Sequence, residues 1–233
     1  MIYVTGDMHG DITRFDDRAL KKLKKRDVLF VCGDFGFIWD GGAEEQKLLK
    51  KLGKKKYTIA FLDGRHENYD LLKNYPESEW CGGRVQVISG NLIHLLRGEI
   101  YTVEGKTFFA FGGGESPDHD IRAGAGTFFE EETPTREQLD NAEQNLKAVD
   151  NKVDYILTHE PSGKANGFFS VDTPSNGVNL IFNRFEGTVD FTRWYFGCLH
   201  LDRSLSRRHR AVFSEVIPIE ELWKTRKGKH FKE

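Results

Sequence analysis

The amino-acid sequence predicts an α/β fold built from packed layers. Short apolar runs alternate with helix-like segments in the first half of the chain, and many of these runs are continuous rather than alternating. Continuous apolar runs are typical of strands covered on both faces, and strand–helix alternation indicates helices layered on a sheet. The strand-like runs are 1–7, 27–34, 57–64, 84–89, 106–114, 153–160, 193–200 and 209–219.

Helix-like segments lie between these runs. Thr135 is expected to cap one of them, because Gln138 stands three residues later, as in a capping box. Gly53 is expected to stop another, since glycine commonly ends helices. The predicted helices are 11–27, 42–55, 133–149 and 176–187.

Composition limits the classes of protein that fit. The 233 residues suffice for a single domain spanning 1–233. The formal net charge of −2 does not indicate binding of nucleic acid by bulk charge, and no apolar run is long enough for a transmembrane helix. Three cysteines are too few for a disulfide framework, so a cytoplasmic location is expected. Oligomeric state stays open.

Polar residues follow the apolar runs at five strand ends. Ligands in open α/β sheets bind outside the carboxyl ends of strands, so these residues are expected to meet at one edge. Any one of them alone could be a turn former or a strand end, but their joint occurrence favours a shared site. They are Asp7, His9, Asp34, His66, Glu67, His159, Cys198 and His200.

The residue types indicate a metal centre for hydrolysis. Asp7 and His9 share one side of an extended segment, because strand side chains alternate with a period of two. Carboxylate and imidazole together suit Mn, Fe or Zn. Two such ions close together form a known clamp for phosphoryl displacement.

The order of these motifs resembles the calcineurin-like metallophosphoesterases over about residues 1–216, and blocks 33–40 and 111–122 are similar to a bacterial and phage-type branch. The resemblance implies a four-layer αββα sandwich of two mixed sheets with a dinuclear metal site at their edge. It rests on Asp7-x-His9, Gly33-Asp34, Gly64-x-His66-Glu67, His159 and Gly197-x-x-His200.

The same resemblance implies roles for the site residues. Asp34 would bridge two metals, His159 would belong to the second metal, and His66 would protonate the leaving group or steady the phosphate. Glu67 would be an acid beside the site. The first metal would be held by Asp7, His9, Asp34 and His200.

Two positions depart from the family pattern, and both affect the second metal. Arg65 stands where the family has an asparagine ligand, and Cys198 stands where it has a histidine ligand. Arginine cannot ligate a cation, and a guanidinium about 4 Å from a divalent ion is repelled by about 8 kcal/mol at an effective dielectric constant of about 20. A Cys198 thiolate would offset part of this. We therefore expect one divalent ion rather than two, with Arg65 in place of the second cation.

Three functions are compatible with this site. The favoured one is a hydrolase acting on a small phosphoester or related anion, with Arg65, His66 and Asp34 as catalytic residues. The alternatives are a catalytically inactive scaffold or binding protein, and a metal-dependent hydrolase of a non-phosphate ester or amide. Cys198 is either a reactive thiolate beside Arg65 or a small buried side chain. The retained His66 and first-metal ligands favour a hydrolase.

The polar, glycine-rich segment 113–134 is expected to be a loop insertion, either a substrate-selecting flap or a floppy segment. Arg122 within it is either an anion anchor for the substrate or one half of a surface salt bridge. The C-terminal tail, about 224–233, is basic and expected to fray.

Overall fold

Two mixed β-sheets form the centre of the protein in a computed structural model, which describes residues 1–168 and 175–220. The first sheet has seven strands and the second has six. In chain order the strands are β1 (Ile2–Gly6), β2 (Val28–Cys32), β3 (Thr58–Phe61), β4 (Glu77–Trp80), β5 (Gly83–Ser89), β6 (Leu92–Leu95), β7 (Glu99–Val103), β8 (Lys106–Phe111), β9 (Lys152–Thr158), β10 (Asp190–Phe196), β11 (Arg203–Ser204), β12 (His209–Ala211) and β13 (Ile217–Pro218).

Parallel strands occupy the middle of both sheets. The first sheet has the order β13-β1-β2-β3-β6-β5-β4, and β1, β2, β3 and β6 run parallel. The second has the order β11-β12-β10-β9-β8-β7, and β12, β10, β9 and β8 run parallel. The register aligns the last residues of neighbouring strands, pairing Gly6 with Cys32 and Phe196 with Thr158. The carboxyl ends of these strands therefore lie level at one edge of each sheet.

Helices cover the outer face of each sheet. One core lies between the sheets, where Phe30 of β2 and Phe108 of β8 pack together. The neighbouring Val31 belongs to the outer core under the helices, because successive strand residues face opposite ways. This explains the continuous apolar runs and confirms the four-layer αββα sandwich. The helices are α1 (Arg18–Lys22), α2 (Ala43–Gly53), α3 (Tyr69–Leu72), α4 (His119–Gly124), α5 (Arg136–Ala148), α6 (Gly163–Gly167) and α7 (Gly177–Thr188), with 3-10 turns at Ile12–Asp16 and Glu130–Glu132.

Two predicted elements are divided in the structure. The predicted helix 11–27 is broken at Asp17, whose φ of −53° and ψ of 140° are not helical and whose side chain instead caps α1 by accepting the amide of Ala19 at 2.6 Å. The predicted strand 209–219 is two short strands, β12 in the second sheet and β13 in the first. The chain passes from the second sheet to the first within this segment, which the sequence predicted as a single strand.

The capping box of α5 is confirmed. The Thr135 hydroxyl accepts the Gln138 amide at 3.3 Å, and the Gln138 side chain accepts the Thr135 amide at 3.0 Å. Thr135→Ala should lower the free energy of unfolding by about 1 kcal/mol, because an orphan helix amide loses its acceptor. Urea unfolding measures the change, with the exposed Thr133→Ala as the matched control. Equal losses in both variants would contradict the capping role.

Three further sequence predictions concern a transmembrane helix, the C-terminal tail and the number of domains. Within residues 1–168 and 175–220, no helix is both long and apolar enough to cross a membrane. The basic tail predicted at about 224–233 lies outside the described residues. The assignment of the whole chain to a single domain stays a prediction.

Candidate metal centre

Two buried carboxylates form the centre of the site at the carboxyl ends of β1 and β2. Asp7 and Asp34 are 1% and 0% exposed. Both oxygens of Asp7 accept the Cys198 amide, at 3.1 and 3.0 Å. Oδ1 of Asp34 accepts the amides of Arg65 and His66, at 2.5 and 3.0 Å. Loops from both sheets therefore hold these carboxylates in fixed orientations.

Three histidines surround one side of the carboxylates. The Nε2 atoms of His9 and His200 lie 3.0 Å apart, and His200 Nε2 lies 3.1 Å from Asp7 Oδ2. His66 Nδ1 lies 2.7 Å from Asp34 Oδ2. Two imidazole nitrogens aimed at one point beside carboxylate oxygens are a donor set for a divalent ion.

His159 lies on the other side, fully buried between the carboxylates. Its Nδ1 and Nε2 are each 3.5 Å from one oxygen, of Asp7 and Asp34 respectively, and neither nitrogen has a hydrogen-bond partner within residues 1–168 and 175–220. Burial alone lowers the pKa of His159, but the two carboxylates outweigh it and raise this pKa to about 9. A buried imidazole with unused nitrogens beside two anions fits a place for a cation.

These side chains form three overlapping groups in the described part of the chain, each with ligand atoms within 4.8 Å of one another. The structure thus brings together the predicted first-metal residues and places His159 at the opposite side of the carboxylate pair. The groups are Asp7, His9 and His200; His9, Asp34 and His66; and Asp7, Asp34 and His159.

Arg65 and Cys198 occupy the His159 side of the site. The Arg65 Nη2 donates to Cys198 Sγ at 3.5 Å. Burial lowers the pKa of Arg65, but Cys198, Glu160, Asp34 and Asp7 together raise it, so the side chain is held as a cation. Burial also raises the pKa of the Cys198 thiol, and Arg65 offsets this only in part. The raised pKa does not favour a reactive thiolate, and metal ligation by Cys198 stays a prediction.

Four site residues have left-handed backbone, out of nine such non-glycine residues in the described part of the chain. Left-handed φ angles are uncommon for residues other than glycine and cluster at functional sites. Such strain persists only where surrounding contacts hold it in place. The site residues in this region are His9 at 46°, Asp34 at 40°, Cys198 at 59° and His200 at 50°.

The glycines that open the two altered motifs make room for the carboxylates. A Cβ on Gly64 would lie 2.1 Å from Asp34 Oδ1, and a Cβ on Gly197 would lie 2.1 Å from Asp7 Oδ1. Both contacts are far shorter than any real Cβ contact. Only glycine lets these loops approach the buried carboxylates closely enough for their amides to bind them.

The loop 113–134 is an ordered segment that contains α4 and a 3-10 turn. Arg122 is 7% exposed and paired with Glu132 at 2.6 Å, and it donates to the carbonyls of Arg65 and Thr127 at 2.7 and 2.6 Å. Arg122 does form a salt bridge, but the pair is buried and does not lie on the surface as the alternative predicted. These contacts brace the loop against the site and leave the anion-anchor role of Arg122 without structural support.

Two supporting residues were missed in the sequence. The Phe213 ring stacks on His200 with centroids 4.7 Å apart. Arg14 donates to the carbonyl of Asp7 at 2.8 Å and lies over the Phe213 ring. Phe213 stood inside a predicted strand, and Arg14 inside a predicted helix, so neither had a local signal. Glu67, expected beside the site, accepts the Phe35 amide at 2.6 Å.

A buried ion network behind the motif at 63–67 was also missed. Asp63 is 1% exposed and accepts from the Tyr69 hydroxyl at 2.9 Å and from Arg97 Nε at 2.9 Å, with His94 Nε2 at 3.0 Å. Arg97 and His94 are distant from Asp63 in sequence and meet it only in the fold. They fix the start of the loop that carries Arg65.

Asp63→Asn should lower the free energy of unfolding by about 3 kcal/mol, because it leaves the buried Arg97 guanidinium without its counter-charge. Urea unfolding at about pH 7 measures the loss. Asp140→Asn is the control, since Asp140 forms an exposed pair with Arg136 and exposed pairs contribute about 0–1 kcal/mol. A loss for Asp63→Asn no larger than that of the control would contradict this account.

The effect of Asp63 should depend on pH. Burial alone raises the pKa of Asp63, but Arg97 and His94 outweigh it and hold this pKa below its ordinary value of 3.8. A carboxyl with a depressed folded-state pKa stabilises the fold above its unfolded-state pKa, and this contribution is lost as pH falls. The stability difference between wild type and Asp63→Asn should therefore shrink below about pH 4. A difference that stays constant or grows on acidification would contradict this sign.

The αββα sandwich and the cluster of carboxylates and histidines at its edge define a metallohydrolase-like protein. A family model for calcineurin-like phosphoesterases matches residues 1–205. The chain belongs to the calcineurin-like phosphoesterase family. No curated protein matches it.

Proposed function

We propose that the protein is a metal-dependent phosphoesterase that holds one divalent ion, Mn, Fe or Zn. The convergence of the His9 and His200 Nε2 atoms, 3.0 Å apart beside Asp7, carries this proposal. Such an ion supplies Lewis acidity, which activates water and withdraws negative charge from a phosphoryl oxygen. The proposed ligands are Asp7, His9, Asp34 and His200.

Arg65 is proposed to take the place of a second cation. Its guanidinium lies beside Cys198 and close enough to Asp7 and Asp34 for their charges to raise its pKa. Its buried Nε has no hydrogen-bond partner among the described residues, so the side chain has an unused donor for an anionic oxygen. Guanidinium groups bind phosphoryl oxygens and stabilise charge that develops during transfer.

His66 is proposed to protonate the leaving alcohol. Its Nδ1 contacts Asp34 Oδ2 at 2.7 Å, which orients the ring and leaves Nε2 available to a substrate. A carboxylate in this position fixes the orientation of the imidazole ring. Asp34 would therefore contribute to catalysis through His66 as well as through metal binding.

A substrate panel tests the proposed activity. Metal-loaded protein should hydrolyse p-nitrophenyl phosphate or bis-p-nitrophenyl phosphate and leave p-nitrophenyl acetate unchanged. No turnover with Mn, Fe or Zn would support a catalytically inactive scaffold instead. Hydrolysis of the acetate alone would support a metal-dependent hydrolase of another ester.

His66→Gln should distinguish proton donation from a structural role. General acid catalysis contributes about 10²–10⁴-fold, and it matters most for a poor leaving group. We expect hydrolysis of an alkyl phosphate to fall by about 10²-fold or more and that of p-nitrophenyl phosphate to fall much less. His119→Gln, an exposed histidine outside the site, is the control. Equal losses on both esters would contradict the acid role.

The cellular setting is inferred from the cysteines. Cys32, Cys81 and Cys198 are all free. Free thiols suit a reducing compartment, and we infer a cytoplasmic location. As the substrate of the proposed phosphoesterase we infer a small-molecule phosphoester.

A further inference from the structure

A cavity of about 390 Å³ lies next to the candidate metal centre. Arg65 and Cys198 belong to the metal centre and also to the cavity. Their backbone amides donate to Asp34 and Asp7, respectively, and both residues line the cavity. A substrate whose phosphoryl group reaches the metal ligands would therefore place its remaining part in this cavity. Its volume falls within the range of small-molecule pockets.

One wall of the cavity is a carboxylate held by several donors. Glu160 is 2% exposed and accepts from the Glu115 amide at 2.8 Å and from the Asn176 and Asn179 side chains at 2.7 and 2.9 Å. Gly114 lies between this carboxylate and the Arg65 stem, and a Cβ there would be within 2.9 Å of both. The wall is thus rigid and already charged.

The opposite side of the cavity has an unused polar group. Asn166 of α6 lines the cavity and is 5% exposed, and its side-chain amide makes no hydrogen bond to any described residue. A buried amide without a partner is costly unless a ligand or water satisfies it. An amide both donates and accepts, which matches the hydroxyl group of a ligand.

We propose that this cavity binds the alcohol part of the substrate and that this part is a small neutral sugar or polyol. This inference rests on the proposed phosphoesterase activity. Among the described residues that line the cavity none is aromatic, and nucleobases commonly stack on aromatic side chains. The carboxylates of Glu115 and Glu160 repel a second anionic group. Asn166 is then the residue that selects the hydroxylated alcohol.

The test compares Mn-loaded wild type with Asn166→Leu on glucose 6-phosphate, glycerol 3-phosphate, AMP and p-nitrophenyl phosphate. We expect the wild type to prefer the sugar or polyol phosphate over AMP. Asn166→Leu should raise the KM for that substrate about tenfold, because one or two hydrogen bonds are lost. Its KM for p-nitrophenyl phosphate, whose aryl group offers no hydroxyl to Asn166, should rise much less.

Asn183→Leu is the matched control. Asn183 holds α6 by accepting the Lys164 amide at 2.9 Å but does not line the cavity. It should affect all substrates alike. If Asn166→Leu unfolds, Asn166→Ala removes the amide without adding bulk or charge and should still raise the KM for the sugar phosphate more than that for p-nitrophenyl phosphate.

Each outcome decides between the two proposals. Hydrolysis of p-nitrophenyl phosphate without preference for sugar or polyol phosphates overturns the cavity proposal and leaves the proposed function standing. The same holds if the Asn166 variants change all substrates equally. Absence of turnover on every ester overturns the proposed function and the cavity proposal with it.

Discussion

Asp34→Asn is expected to remove the bound metal and to lower kcat/KM on p-nitrophenyl phosphate by about a thousandfold. Asp34 belongs to two of the three ligand groups and is also the partner of His66 Nδ1. Asparagine has the same shape but no charge, so it is a weak ligand and a weak partner for an imidazolium. One substitution therefore affects both metal binding and proton transfer.

The Asp34→Asn variant should still fold. The asparagine oxygen can accept the amides of Arg65 and His66, as the aspartate does. Asp154→Asn is the control, because Asp154 accepts the Thr107 amide at 2.8 Å near the start of β9, at the end of the strand away from His159. Metal content and activity are measured together with the melting temperature. Full metal content in Asp34→Asn would contradict the assigned ligand role.

The double variant Arg65→Asn, Cys198→His is expected to bind a second divalent ion. It removes the guanidinium, whose repulsion at about 4 Å is about 8 kcal/mol, and it adds an amide oxygen and an imidazole as ligands. His159, with both ring nitrogens unused between Asp7 and Asp34, is in place for that ion. The metal content should rise from about one to about two per chain.

Two further variants separate the effect of the charge at position 65 from the supply of metal ligands. Cys198→His alone keeps the guanidinium, and Arg65→Lys with Cys198→His keeps a cation, so both should remain at one ion. Calorimetric titration with Mn²⁺ measures stoichiometry and affinity. A second ion bound by Cys198→His alone would show that Arg65 does not exclude it.

Local sequence patterns predicted most of the central strands but not the strands that have weak patterns of their own. The strand ends at Asp7, Asp34 and His159 carried a strong signal, because polar residues interrupt apolar runs there. The strands β4, β6, β7 and β11 were missed. Two of them have weak patterns of their own, since Glu77–Trp80 is largely exposed and Arg203–Ser204 is two residues long. Such strands depend on pairing with a neighbour rather than on their own pattern.

The supporting contacts of the site could not be predicted for a related reason. Asp63 meets Arg97 and His94, and Phe213 meets His200, across long sequence separations. A single sequence does not show which distant residues pack together. The sequence also did not show that Arg122 is buried. Its guanidinium forms an ion pair with Glu132 inside the loop.

The metal content of the purified protein tests the central claim most directly. Elemental analysis should find about one Mn, Fe or Zn per chain, retained after dialysis. Two tightly held ions in the wild-type protein would show that Arg65 does not replace a cation, and no retained ion under any metal supply would contradict the proposed centre itself.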